Sequence, residues 1–331
     1  MNILDYYKKN KIYIIMILSI IFLYGIYPYL LNIINPKLNL EDMPFGKIYI
    51  NKFHGNHKFD FFIGIVYLLL NIIIIYEIYK YEKFSYVTKI ILISIIIYIY
   101  TLILFPILSL YNQYLSLFYN NTPFITNINN EYPDNILLES NFDIYNNELQ
   151  NYMNKYDNIS CIHESVPAFI IGKTDEKCWR VLHIKTIGKF KNDFKDVCPE
   201  LYKILDNKRV YNAFLSILDP YVNIPIHTGY CKMFLRYHIG IDIPEYQNNK
   251  PFIVCGNIKY EWKNGKGVIF DDMYPHYVEN PTHSKRIVLY IDLIRNDLID
   301  NLINDIIIYI TSTNYILNQY NNKQHQQKKL N

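Results

Sequence analysis

His227-Thr228-Gly229 is followed nine and eleven residues later by Arg236 and His238, then by His276 and, ten residues beyond that, by Arg286. Two histidines separated by 49 positions suit a redox-active metal. Imidazole nitrogens bind iron(II) while leaving coordination positions open for oxygen and an organic cosubstrate. A trailing arginine suits the other half of such a centre, because a guanidinium fork grips a carboxylate through two parallel hydrogen bonds. These residue types have the composition of an iron(II), 2-oxoglutarate and O2 site. A lone histidine is more often a satisfied core or surface group, and His163, His183 and His283 are read that way. His227 and His276 stand apart through their joint spacing with Arg286.

The elements that must position these groups are short and extended. From about residue 160 brief apolar runs alternate with Gly, Pro, Asn and Asp, the texture of many strands and turns, which predicts an antiparallel barrel or jelly roll. The run 231–241 alternates as a half-buried strand does, placing Phe234, Arg236 and His238 on one face and Met233, Leu235, Tyr237 and Ile239 on the other. If the first face lines a barrel, two ionisable groups sit where burial is costly without a bound anion or metal. Asn264-Gly265 reads as a turn into a short buried strand at 267–270, which ends at Asp271-Asp272 and delivers the next loop to His276. The run 286–293 alternates again, with Arg286, Val288, Tyr290 and Asp292 on one face.

The first third of the chain has a different texture. Apolar runs at about 12–34, 60–79 and 88–110 each approach the twenty or so residues needed to cross a hydrocarbon core, and they predict three transmembrane helices within a membrane domain at 1–111. Lys8, Lys9 and Lys11 precede the first run without a small-residue cleavage site, so that run is read as a retained anchor and not as a signal peptide. Six lysines flank the N-terminus and the loop 80–89, against four in the loop 36–59 and none between 111 and 154. The positive-inside rule then puts the N-terminus in the cytoplasm and the catalytic domain on the lumenal or external face. Residues 112–155, rich in Asn and Tyr and without sustained periodicity, read as a linker between the membrane domain and a catalytic domain at 156–296. Residues 297–331 read as an amphipathic helix, packed on the barrel or lying on the membrane, followed by a polar tail.

Charge and cysteines exclude other classes. A net charge of +3 with no basic stripe among stacking aromatics argues against nucleic-acid binding. The five cysteines match no zinc spacing and, being odd in number, cannot all pair internally. Cys198, before Pro199 at a helix start, is read as a structural thiol.

At this point the residues resemble the aspartyl/asparaginyl β-hydroxylase family of double-stranded β-helix dioxygenases. The resemblance covers about 178–295. It rests on Phe214-Leu215-Ser216, His227-Thr228-Gly229, 235–240, Trp262 through Gly265 to Asp272, His276 with Glu279-Asn280, and Arg286 to Leu289 with Asp292. It implies a cupin-like jelly roll in which His227 and His276 ligate iron(II) and Arg286, assisted by Ser216, clamps the distal carboxylate of 2-oxoglutarate. Arg236 and His238 would line the cosubstrate pocket. A hydrogen atom would be taken from an unactivated C–H bond and replaced by hydroxyl.

One position departs from the usual dioxygenase pattern, which has an acid two residues after the first histidine where this chain has Gly229. Animal members of that family share the glycine and still hydroxylate with water in that position, and some iron halogenases also lack the acid and fill the gap with halide, which leaves halogenation open. Asp219, Asp271 and Asp272 are candidates for an outer-shell carboxylate, although Asp271 and Asp272 read more simply as turn residues. The stretches 236–238, 270–276 and 279–282 are similar to bacterial lipid A 2-hydroxylases, so the implied substrate is either a lipid acyl chain or a protein Asp or Asn side chain. The alternative is a catalytically inactive barrel that binds a ligand or partner on a membrane scaffold. It predicts loss of His227, His276 or Arg286, and all three are present.

Overall fold

A computed structural model describes residues 15, 17–19, 57–101, 104–119, 122–156, 159, 161, 177–229, 231–245 and 249–308. The chain divides into two units, Met1–Leu117 with Tyr309–Tyr315, and Phe118–Ile308 with Ile316–Asn331.

The first unit contains helices α1 (His57–Lys80), α2 (Tyr86–Thr101) and α3 (Leu104–Ser116). Helix α1 buries Ile63, Val66, Tyr67 and Leu70, and α3 buries Leu108, Tyr111 and Leu115, the stripes expected of two helices packed along one face each. Helix α1 also exposes apolar side chains, among them Phe62, Leu68, Leu69 and Ile72. Three transmembrane helices are not borne out. The expected first span lies almost wholly outside the described residues, the second falls within α1, and the third is divided between α2 and α3. Among the described residues no helix is long and apolar enough to cross a membrane; the side chains of residues 57–61 and 64 of α1 lie outside that description.

Among its described residues the second unit has ten strands: β1 (Trp179–Thr186), β2 (Lys189–Phe190), β3 (Val210–Leu218), β4 (Asn223–His227), β5 (Phe234–Asp242), β6 (Phe252–Cys255), β7 (Ile258–Glu261), β8 (Gly267–Phe270), β9 (His276–Glu279) and β10 (Arg286–Ile294). They form one sheet ordered β2-β1-β3-β10-β5-β8 and another ordered β4-β9-β6-β7, antiparallel throughout. From β3 onward the chain passes repeatedly from one sheet to the other, which is the cupin-like double-stranded β-helix expected from the sequence. Leu218, Val268, Phe270 and Val288 of the larger sheet and Ile224, Ile253 and Val278 of the smaller one share the core between them.

The outer face of the larger sheet carries a second core, and residues read as a linker build it. Helices α4 (Ile128–Glu131), α5 (Asn135–Ser140) and α6 (Phe142–Met153) lay Tyr132, Leu138, Tyr145, Leu149 and Tyr152 onto Leu215, Tyr237, Ile239, Leu289 and Ile291. Polar ties fix them: the Tyr237 hydroxyl donates to Asn135 Oδ1 at 2.9 Å, and Arg209 pairs with Glu131. Two further short helices, α7 (Phe194–Val197) and α8 (Pro199–Leu205), pack against α6. The Glu148 carboxylate accepts from the first backbone N–H groups of α8, at Glu200 and Leu201, which a helix N-terminus favours. The segment is therefore part of the folded domain, because its aromatics find an apolar sheet face to cover. The same covering explains why β5, expected to be half-buried, is buried on both faces from Phe234 to Ile241.

Cys161 and Cys178 form a disulfide, which the cysteine count left open. Cys198, Cys231 and Cys255 are free and buried, and burial pushes each thiol up to about 12, so none is a nucleophile near neutrality. After β10 a single turn at Asn296–Leu298 precedes a helix at 302–308 that buries Ile307 and leaves Leu302, Ile303 and Ile306 exposed.

Candidate active site

The register of the smaller sheet brings the two histidines together. His227 ends β4, His276 begins β9, and the two are directly paired across the ladder with ring centroids 4.1 Å apart. Each ring is oriented by its own backbone: His227 Nδ1 lies 2.8 Å from the Pro225 carbonyl oxygen and His276 Nδ1 2.9 Å from that of Tyr274. A carbonyl accepts only, so Nδ1 carries the proton in both rings and Nε2 carries the lone pair. That is the tautomer a metal-ligating imidazole needs, with its second nitrogen held by the protein. Burial lowers the His276 ring to about 4, keeping it neutral.

Gly229 explains what stands beside the pair. A Cβ built at this position would fall 2.3 Å from Cγ and from both carboxylate oxygens of Asp272. The acid missing at 229 is thus replaced in space by one from the loop between β8 and β9. Gly229 N–H donates to the Asp272 carbonyl at 2.6 Å, locking the two segments together. Asp272 is buried; Oδ2 accepts from Arg236 Nε at 2.7 Å, whereas Oδ1 has no hydrogen-bond partner among the described residues. Burial pushes its carboxyl above the usual carboxylate range, against the pull of Arg236. Among the described residues no three His, Cys, Asp or Glu side chains form a ready metal cluster. The donor set is the two Nδ1-anchored imidazoles, which suit a divalent metal with open positions, and the carboxylate of Asp272 occupies the space beside Gly229.

A second set of groups lies on the facing sheet. Arg286 is 1% exposed, its Nη1 donates to the Ser216 carbonyl oxygen at 3.2 Å and to Ser216 Oγ at 3.3 Å, and its guanidinium lies 4.7 Å from the Trp262 ring centre. Trp179 Nε1–H donates to the same Ser216 hydroxyl at 2.9 Å. No carboxylate pairs with Arg286 among the described residues, and burial brings it down to about 9, still charged at neutral pH. His238 is buried between Trp262, Phe270 and Tyr290, neither ring nitrogen has a partner among the described residues, and burial drives its pKa well below the ordinary value. Arg286 Nε and Trp262 Nε1 are likewise unsatisfied among the described residues. Buried polar groups left unpaired cost about 1–3 kcal/mol each. Their convergence beside a buried cation is an arrangement that can receive a carboxylate, and Phe270 lies between it and the paired histidines, its ring 5.8 Å from that of His276.

Residues 139–296 match the aspartyl/asparaginyl beta-hydroxylase family model. The resemblance read from the sequence holds, and the match begins inside the helical segment that covers the outer sheet face. Over 118 residues the chain is 30% identical to the ornithine lipid ester-linked acyl 2-hydroxylase of Rhizobium tropici, covering 35% of this chain and 42% of that protein. Over 78 residues it is 36% identical to the aspartyl/asparaginyl beta-hydroxylase of Mus musculus, covering 24% of this chain and 10% of that one. The chain thus spans less than half the length of either relative. Among solved structures, a Pseudomonas putida prolyl-4-hydroxylase overlays with a TM-score of 0.31 at 11% identity, covering 49% of this chain and 88% of that one, a likeness too distant to argue from.

Of the residues that the resemblance singled out, His227, His276, Arg286, Ser216 and His238 converge, and Arg236 stands near them with its charge already paired. It shares the interior face with His238, but its guanidinium is held between the carboxylates of Asp272 and Asp292. It therefore orients Asp272 in place of lining the pocket with a free cation. Asp271 is buried between Lys232 and Arg295, and Asp219 accepts from Arg180 and from the Cys178 backbone, so of the three candidate acids Asp272 is the one whose carboxylate fills the space beside Gly229. Sequence reasoning gave no role to Trp262 and Trp179. Trp262 entered only as part of the resemblance and Trp179 not at all, since what each indole touches depends on strand register.

Proposed function

We propose that this chain is an iron(II)- and 2-oxoglutarate-dependent hydroxylase that acts, attached to a membrane, on a protein Asp or Asn side chain or on a lipid acyl chain. The observation that carries the reading is the pairing of two Nδ1-anchored imidazoles with a buried arginine that no carboxylate of the described protein neutralises. His227 and His276 would hold the metal, with the Asp272 carboxylate filling the space beside Gly229. When bound, the metal and cosubstrate supply the oxidising power for the C–H bond. The protein's part is placement and dryness. Arg286 and Ser216 receive the far carboxylate, neutral His238 adds a hydrogen-bonding ring, and Trp262 and Phe270 exclude water around them.

Membrane attachment is supported by the apolar outer surface of α1, which water would leave unfavourably exposed. A catalytic domain on the lumenal or external face is supported by the disulfide, since such bonds persist outside reducing compartments, and by the lysine distribution. The test is succinate release from 2-oxoglutarate by detergent-purified protein with iron(II), with and without extracted membrane lipid, beside His276→Ala. We expect wild-type turnover that the variant loses, and lipid stimulation if the substrate is an acyl chain. Folded protein that binds neither iron nor 2-oxoglutarate would end the proposal in favour of an inactive barrel.

A further inference from the structure

We infer that the row of rings formed by His183, Phe214, Tyr290 and His238 seats the acceptor substrate and takes an extended acyl chain in preference to an Asp or Asn side chain. The substrate role rests on the hydroxylase reading given above. The ladder sets the row. His183 lies opposite Phe214, Phe214 opposite Tyr290, and Tyr290 opposite His238, so four neighbouring strands, β1, β3, β10 and β5, present one ring each on the same face of the sheet. Successive ring centres are 5.9, 4.2 and 4.8 Å apart, and the Phe214 and Tyr290 rings are stacked at 17° to each other. Beyond His238 the contacts continue to Phe270 at 4.9 Å, and from Phe270 to His276 at 5.8 Å. The row therefore ends among the residues read as the metal and cosubstrate groups.

Exposure grades along the row. The core shared by the two sheets draws Trp179, Leu218 and Val288 from this face, whereas Phe214 and Tyr290 lie outside it; these two and His183 are half-buried, and His238 at the inner end is buried. The polar groups beside the row are matched within the protein. Arg236 is held by Asp272 and Asp292, Asp292 also accepts from Asn212 Nδ2 at 2.7 Å, and Asn212 Oδ1 accepts from the Ile187 N–H at 2.9 Å. Burial and then Lys191 keep His183 neutral. At the inner end, where the reacting carbon must lie, a carboxylate or carboxamide would lose water and find Arg236 already compensated. Methylene groups would instead bury apolar surface against aromatic faces. From β1 to β5 is three strand spacings, about 14 Å, the reach of roughly a dozen carbons of an extended acyl chain.

The test is photolabelling of the full-length protein in detergent with manganese(II) and 2-oxoglutarate, using methyl myristate that carries a diazirine at its chain end. The ester removes the carboxylate that Arg286 could bind, and labelled residues are mapped by mass spectrometry. We expect label on His183, Phe214 or Tyr290, chased by excess methyl myristate but not by methyl hexanoate or by the N-acetyl methylamides of Asp and Asn. Phe214→Gln should raise the half-saturating ester concentration about tenfold, and Phe214→Leu should restore it to within about threefold, because the apolar contact and not the ring alone carries the affinity. Affinity for 2-oxoglutarate, titrated in parallel, should change less than about twofold in either variant, a split that a general loss of structure would not give. Label confined to Met1–Leu117, or an unchanged half-saturation in Phe214→Gln, would overturn the inference. Chase by the Asp or Asn amide as strong as by the ester would overturn it in favour of a protein side chain. Any of these results beside intact 2-oxoglutarate binding leaves the hydroxylase reading standing. A labelled row in protein that binds neither manganese nor 2-oxoglutarate would end that reading, and the substrate role with it.

Discussion

Two arginines on the interior face of the larger sheet are equally buried and differently completed. Arg236 is clamped by the carboxylates of Asp272 and Asp292, whereas Arg286 meets a carbonyl, a hydroxyl and an indole face. A buried guanidinium is tolerated when opposite charge surrounds it. The first arginine brings its own counterions; the second meets none among the described residues, the state that a carboxylate ligand would complete. Burial alone therefore says nothing about which cation binds a ligand, and the identity of the neighbouring acceptors says nearly everything.

The difference can be broken most forcefully at the completed arginine. Arg236→Met should strand two buried carboxylates and cost about 3–5 kcal/mol of stability, read from urea melts of the metal-free protein. A loss below about 1 kcal/mol would mean that Asp272 and Asp292 do not depend on it. Arg286→Ala should behave oppositely. It removes an uncompensated buried charge, so the melt should be unchanged or slightly improved. 2-Oxoglutarate binding should fall by about a hundredfold, corresponding to two charge-assisted hydrogen bonds. Equal destabilisation by both substitutions would erase the contrast.

A separate effect, spread over pH, concerns a neutral histidine elsewhere on the larger sheet. His183, beside Phe214, is lowered by burial and then by Lys191 to about 4. Its folded pKa lies below its unfolded value near 6.5, so between those limits the unfolded chain holds a proton that the folded chain refuses. Stability from this group is complete above about pH 6.5 and is lost as the pH falls toward about 4. His183→Gln should reduce the slope of stability against pH in that window by about 1.4 kcal/mol per unit, measured by melts at closely spaced pH values. An unchanged slope would show that the ring is solvated.

The site was more legible than its supports. Histidines and arginine announce themselves by type, and strand alternation put Arg236 and His238 on one face, as the register confirms. Alternation does not reveal which acids lie across the ladder, so it could not distinguish a paired arginine from an open one. The helical cover was missed for a related reason. Short helices such as α4 and α5 span too few turns to show a period, and their Asn and Tyr residues resemble a tether until Tyr132 and Tyr145 are seen against the sheet. Asp272 looked like a turn residue because the collision that defines its place, with a side chain absent at Gly229, is invisible along the chain.

That collision also constrains how this site is able to change. The carboxylate of Asp272 and any side chain at 229 compete for one volume, so the chain holds one acid there at a time. A route to an acid at position 229 passes through either two negative groups crowded into a single buried space or a stage with none. Each intermediate is worse than both end points, and the glycine is held in place by a residue 43 positions away.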